Sequence, residues 1–167
     1  MITDSLYEER LSSRITESLF ITLSVICLGL YIWMLAASNS AFLRTLFIVL
    51  FFFFLFCSVN YRVLTIRITT QSLRLKFGIF SWTVALANIQ ECQHDDPPLL
   101  MKYGGAGIHF MLVRGRYRAS FNFLEHARVV IALKKKAGPV ADISFSTRHP
   151  DEVIHSIQQA MQVAYAE

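Results

Sequence analysis

Three arginines, Arg114, Arg116 and Arg118, fall at alternate positions. An extended backbone would set all three on one face, a ridge suited to phosphate or carboxylate. The same spacing also describes an outer strand face paired with acidic side chains, and Gly115 could interrupt the strand. A second basic group, Arg62, Arg67, Arg74 and Lys76, lies in a stretch from Arg62 to Gln90 that holds no acidic residue. Against an anionic leaflet each such cation gains about 1 kcal/mol. Lys134 to Lys136 read as a soluble hairpin tip. His94-Asp95-Asp96 is the tightest group of potential metal ligands. A third ligand would have to come from His109, His126 or His149, and a polar loop is the simpler reading. The run Tyr103-Gly104-Gly105-Ala106-Gly107-Ile108 lacks the lysine and the strand-helix-strand setting of a nucleotide loop, so it reads as a turn. Cys27, Cys57 and Cys92 are odd in number and widely spaced, which implies free thiols in a reducing compartment. No nucleophile with its base and no pair of carboxylates stands out. A non-catalytic protein without metal or cofactor is therefore expected.

The elements that must position these residues begin with two apolar runs. The chain has 167 residues, 54% hydrophobic and only 17% charged, with a mean hydropathy of +0.44, which excludes a disordered chain and is unusual for a soluble domain. No charged residue occurs between Glu17 and Arg44, and Leu19 to Ala37 is apolar, long enough for a hydrocarbon core that needs about 20 residues. Thr45 to Tyr61 is a second run, with Arg44 snorkelling at its rim. Ser38-Asn39-Ser40 is too short to hold a domain between them, so the spans form an antiparallel hairpin. A cleaved signal peptide is the rival reading of the first run, but acidic Asp4, Glu8, Glu9 and Glu17 precede it and it is too long. Arg10 and Arg14 before the first span, and Arg62, Arg67, Arg74 and Lys76 after the second, face Arg44 alone in the connector. This asymmetry puts both chain ends in the cytoplasm. Phe52, Phe53 and Phe56 belong to a phenylalanine-rich turn that contacts lipid or another membrane subunit, and Gly29 offers a close approach to a neighbouring helix. No Asp, Glu, Lys, Arg or His lies within the membrane core, so no ion path is visible.

After Arg62 the period changes to strand alternation. Leu64, Ile66 and Ile68, then Leu73, Leu75 and Phe77, predict a hairpin turning at Thr70-Gln71. Ser81 to Leu86 and Ile89 to Gln93 predict two more strands before the polar break at His94 to Pro98. Leu99 to Val113 is expected to be loop around its glycines. Arg116 to Phe121, Arg128 to Leu133 and Ala141 to Ser146 then complete seven strands, with Lys134 to Pro139 as the last turn. In the final strand Ala141, Ile143 and Phe145 should face inward and Asp142, Ser144 and Ser146 outward. Pro150, Asp151 and Glu152 open a C-terminal helix whose apolar stripe includes Val153, Ile157, Ala160 and Ala164. The expected organisation is a cytoplasmic segment over 1–17, a transmembrane hairpin over 18–61 with spans near 19–37 and 41–60, and a domain over 62–167.

Seven strands and a closing helix are the order of the pleckstrin-homology fold, a β-sandwich or open barrel. On the strand pair Val63 to Phe77, the Tyr103 to Ile108 turn and the helix start at Pro150 to Glu152, the chain resembles small bacterial membrane proteins in which a transmembrane hairpin precedes a PH-like domain. That resemblance implies an α+β membrane protein of the bacterial inner membrane and a non-catalytic role. Arg74-x-Lys76 resembles the phosphoinositide-binding strand of eukaryotic PH domains, without its full basic pattern. Two roles remain open. One is an accessory or assembly subunit that packs on other integral membrane proteins or on itself. The alternative is a module that binds anionic lipid headgroups through Arg62, Arg67, Arg74, Lys76, Arg114, Arg116 and Arg118. The positive charge lies mostly beside apolar runs rather than in a separate patch, so nucleic acid is not expected as a partner.

Overall fold

A computed structural model describes residues 5–37, 40–96 and 105–166, with side chains in the last helix described as far as residue 162. The chain opens with strand β1 (Ser5–Ser12) and passes into helices α1 (Arg14–Ala37) and α2 (Ala41–Asn60). Strands β2 (Val63–Thr69), β3 (Ser72–Phe77) and β4 (Phe80–Ala85) follow. A 3₁₀ turn at Leu86–Asn88 leads into β5 (Ile89–His94), then β6 (Gly107–Val113), β7 (Arg116–Asn122), β8 (Ala127–Ala137), β9 (Val140–Thr147) and helix α3 (Pro150–Ala166). The protein is thus α+β: two long apolar helices, then a β-rich region with a C-terminal helix.

Helices α1 and α2, of 24 and 20 residues, run about 36 and about 30 Å at 1.5 Å per residue. Both are long and apolar enough to cross a membrane, and only 17% and 11% of their most apolar stretches are buried in the protein. A helix at the core of a soluble protein would be covered. Ser13 caps α1, its hydroxyl accepting from the Thr16 amide at 3.0 Å, and Ser40 caps α2 by accepting from Leu43. Where the helices meet, Phe20, Ser24, Cys27 and Cys57 are buried. Gly29 lies off that seam, with open space where a Cβ would project. Ser38 and Asn39 of the connector lie outside the described residues.

The strands form two sheets, ordered β1-β2-β3-β4 and β5-β8-β9-β7-β6, and no closed barrel is present among the described residues. All pairings are antiparallel except β7 with β9. The described strands number nine rather than the expected seven, and the two extra ones have distinct causes. Residues 5–12, expected only as a segment leading toward the membrane, pair with β2 from Ser5–Thr69 to Ser12–Val63. The helical hairpin is therefore inserted between two neighbouring strands of one sheet. Gly107 to Val113, expected as loop, pairs with β7. Tyr103 and Gly104 lie outside the described residues.

Alternation sends Leu64, Ile66, Ile68, Leu73, Leu75 and Phe77 inward, all at most 1% exposed. They meet Phe121, Phe123, Val129, Ile131, Ile143 and Phe145 from the other sheet and Val153, Ile157 and Ala160 from α3. Helix α3 begins as expected at Pro150, with Asp151 and Glu152 at the positive end of its dipole. It packs across the seam between β1 and β5. Two local expectations fail. Strand β8 continues through Lys134–Lys136 to Ala137, so the turn narrows to Gly138, at φ +62°, and Pro139. All of β9 is buried, including Asp142, Ser144 and Ser146, because β9 is the central strand of its sheet and polar partners cover its outer face.

Hydrogen bonds and ring contacts at Asn60 and Tyr61 join the helices to the sheets. Asn60 donates to the Phe56 carbonyl at 3.0 Å and accepts from the Ile79 amide at 3.3 Å. Gly78, at φ +50°, lies so near Asn60 that a Cβ there would come within 2.6 Å of its Oδ1. Tyr61 packs at ring-centroid distances of 5.9 Å from Phe20 and 5.5 Å from Phe77.

Candidate functional site

The outer face of the four-stranded sheet gathers cations in two rows. Pairing register sets Arg10, Thr65, Lys76 and Ser81 side by side, and Glu8, Arg67, Arg74 and Thr83 in the next row. Glu8, Arg10, Thr65, Arg67, Arg74 and Lys76, with Val63 and Gly78, line an open groove of about 380 Å³. Among the described residues, four cations there face one carboxylate, Glu8, whose Oε2 is 3.9 Å from Arg67 Nε. Arg67 stands directly opposite Arg74, an arrangement that disfavours the sheet unless an anion sits among the charges. The end of the groove at Gly78 abuts Asn60, the last residue of α2. Thr65 is two residues beyond Val63, so the first cationic row lies about 7 Å along the strand from its start.

Of the sequence candidates, the structure brings Arg67, Arg74 and Lys76 together. It separates Arg62, whose Nε is 3.3 Å from Glu17 Oε1 at the foot of α1. Arg10 joins the groove although sequence reasoning assigned it only to membrane topology. Only the pairing of β1 with β2, across the whole helical hairpin, puts it there.

The expected ridge of Arg114, Arg116 and Arg118 does not form. Arg114, at φ +50°, and Gly115, at φ +78°, make the two-residue turn between β6 and β7. Arg116 bonds Asp142 through Nε and Nη2. Arg118 Nη1 donates to Asp95 Oδ1 at 2.7 Å, and its Nη2 lies 3.7 Å from Asp142 Oδ2. Ser144 donates to the other Asp95 oxygen at 2.7 Å. These arginines neutralise buried carboxylates beside the end of β5, an edge strand of the sheet opposite β6. Just before β6 the Asn122 side chain donates to the Gly105 carbonyl at 2.8 Å.

The His94-Asp95-Asp96 group likewise diverges, since His94 pairs with Asp151 at 3.0 Å while Asp95 turns to Arg118. Among the described residues no three His, Cys, Asp or Glu side chains gather as metal ligands. Burial pushes the Cys92 thiol up to about 12, with Glu91 adding to the shift, so it stays protonated and unreactive at neutral pH. Burial, then Arg128, lowers the His109 pKa. Phe52, Phe53 and Phe56 are 60%, 54% and 44% exposed on α2. No family model matches the chain, and no curated protein or solved structure matches it.

Proposed function

We propose that this is a non-catalytic, membrane-anchored PH-like module that holds anionic lipid headgroups against the outer face of its four-stranded sheet. In this reading α1 and α2 cross the bacterial inner membrane, and both chain ends and the β domain are cytoplasmic. The observation that carries it is the cationic groove. Arg10, Arg67, Arg74 and Lys76 converge beside the end of a membrane-length helix, with like charges in direct register. A lipid phosphate supplies the missing counter-charge. The PH-like assignment is supported by the final strand feeding a Pro-Asp-Glu helix that covers one seam of the sandwich. Strand β1 and the parallel β7–β9 pair depart from the seven-strand order.

The test uses the full chain, because a fragment starting at Arg62 lacks β1. Replacing two cations, Arg74→Gln with Lys76→Gln, removes about 2 kcal/mol of headgroup attraction, or about a thirtyfold loss of selectivity for anionic over zwitterionic lipid. Native mass spectrometry of detergent-extracted protein reads this as lost phosphatidylglycerol adducts. Adducts retained at the wild-type level would refute the proposal.

A second reading, an accessory subunit of a membrane complex, is favoured by the contiguous exposed face of Phe52, Phe53 and Phe56. Replacing all three with Leu would then loosen the complex without blocking insertion.

A further inference from the structure

The two sheets leave a second seam, between edge strands β4 and β6, that no helix covers among the described residues. Helix α3 closes the opposite seam. Between β4 and β6 lies a groove of about 350 Å³, with Tyr61, Phe80, Trp82, Ile108, Phe110 and Phe121 on its walls and Ser81 the one aliphatic polar side chain. Trp82 and Phe110 face each other across it, with ring centroids 6.5 Å apart. Phe110 is 51% exposed and Ile79, at the neighbouring turn, is 72% exposed.

Its position identifies the occupant. Phe80, at the mouth, packs edge-on against Phe56 in the last turns of α2 at 6.2 Å. Phe56 belongs to the exposed apolar face of that helix, with Phe52 and Val59. Tyr61, the first residue past α2, forms another part of the wall, and Gly107 lies against its ring so closely that a Cβ would approach to 2.5 Å. The hydrocarbon-facing surface of the helix therefore runs without a polar break into the groove. Trp82 lies two residues farther along β4, about 7 Å deeper. With α2 in the bilayer, a membrane lipid already borders the mouth of this slot.

We propose that the β4–β6 groove takes an acyl chain of a bilayer lipid, drawn up from the leaflet along α2 and packed between Trp82 and Phe110. The proposal rests on α1 and α2 spanning the bilayer, but not on the cationic groove, which opens on the outer face of the sheet.

Trp33 and Trp82 are the only tryptophans, which permits a direct test on the full chain. The Trp33→Phe variant leaves Trp82 as sole emitter, and the Trp82→Phe variant leaves Trp33, within α1, as a reference. Each is reconstituted into phosphatidylcholine vesicles whose acyl chains carry bromine near the middle or near the headgroup. The expected result is severalfold quenching of Trp82 by mid-chain bromine and weak quenching by aqueous iodide. Adding Phe110→Asp should reverse that order, with circular dichroism confirming the fold. If Trp33 is quenched by the brominated chains while Trp82 responds only to iodide or to headgroup-proximal bromine, the acyl-chain proposal is overturned and the membrane reading stands. If Trp33 escapes quenching as well, both fall. Because phosphatidylcholine carries no net charge, loss of anionic selectivity in the Arg74→Gln/Lys76→Gln protein leaves these outcomes unchanged.

Discussion

Removing Asp95 should destabilise the protein far more than its loop-end position suggests. Its side chain is 7% exposed and that of Arg118 is 10% exposed. One carboxylate oxygen accepts from Arg118 and the other from Ser144, both at 2.7 Å, and the Asp95 amide donates to the Arg128 carbonyl at 2.9 Å. Asp95→Ala leaves Arg118 with only the longer 3.7 Å contact to Asp142, and Asp142 is already engaged by Arg116. Arg128, whose pKa is depressed by burial and held up by Asp95, also loses a compensating charge. Breaking a buried pair from one side costs about 3–5 kcal/mol, and a chain of this length loses about 2–4 °C per kcal/mol. The expected drop in Tm is therefore about 6–20 °C, read by near-ultraviolet circular dichroism in detergent. Asp95→Asn, which keeps the geometry but not the charge, should fall between. Glu91→Gln, exposed on the preceding strand β5, should stay within about 0.5 kcal/mol. Adding Arg118→Met to Asp95→Ala should recover part of the loss, because Arg118 is then no longer left as an orphan charge. A Tm for Asp95→Ala equal to that of Glu91→Gln, or strictly additive effects in the double variant, would refute the buried-network argument.

Further outcomes follow from the junction, the N-terminal strand and His109. Leu11→Ala, at a fully buried β1 position, should cost about 2–5 kcal/mol in thermal unfolding, and a fragment starting at Arg62 should bind a hydrophobic dye and lack a cooperative transition. Gly78→Ala should lower the Tm, since the new Cβ meets Asn60 at 2.6 Å and the φ of +50° disfavours it. The His109 pKa is lowered in the folded protein, so the unfolded chain takes up its proton first. His109 then contributes stability that is complete above the ordinary histidine pKa of about 6.5 and is lost progressively below it. A Tm profile between neutral and mildly acidic pH should show this decline, and His109→Gln should flatten it.

What the sequence made legible, and what it hid, divides along local and non-local lines. Alternating Leu64, Ile66, Ile68 and Leu73, Leu75, Phe77 encode a one-sided hairpin within a short window, and Pro150-Asp151-Glu152 carries a helix start on its own residues. Strand β1 is written SLYEERLS, mostly polar because it is an edge strand, and its partner lies beyond the entire helical hairpin. Nothing local announces it, and so Arg10 was absent from the expected anion site. Strand β6 was masked by its glycines, although Gly107 adopts φ +86° to let β6 start against Tyr61. The alternation at Arg114, Arg116 and Arg118 predicts an open ridge, but Arg114 lies in the turn and Arg116 and Arg118 are held by carboxylates. Their roles depend on Asp95, just beyond β5, and on Asp142 of β9, which no spacing rule connects to them.

The account turns on whether anionic headgroups meet the cationic rows of the four-stranded sheet. The most direct measurement follows the arginine side-chain Nε–H resonances of the full chain in detergent micelles while short-chain phosphatidylglycerol or phosphatidylcholine is added. The account predicts that Arg10, Arg67 and Arg74 shift with the anionic lipid alone and return at high salt, while Arg116 and Arg118, held by buried carboxylates, stay in place. Equal shifts with both lipids, or none at the three groove arginines, would contradict it.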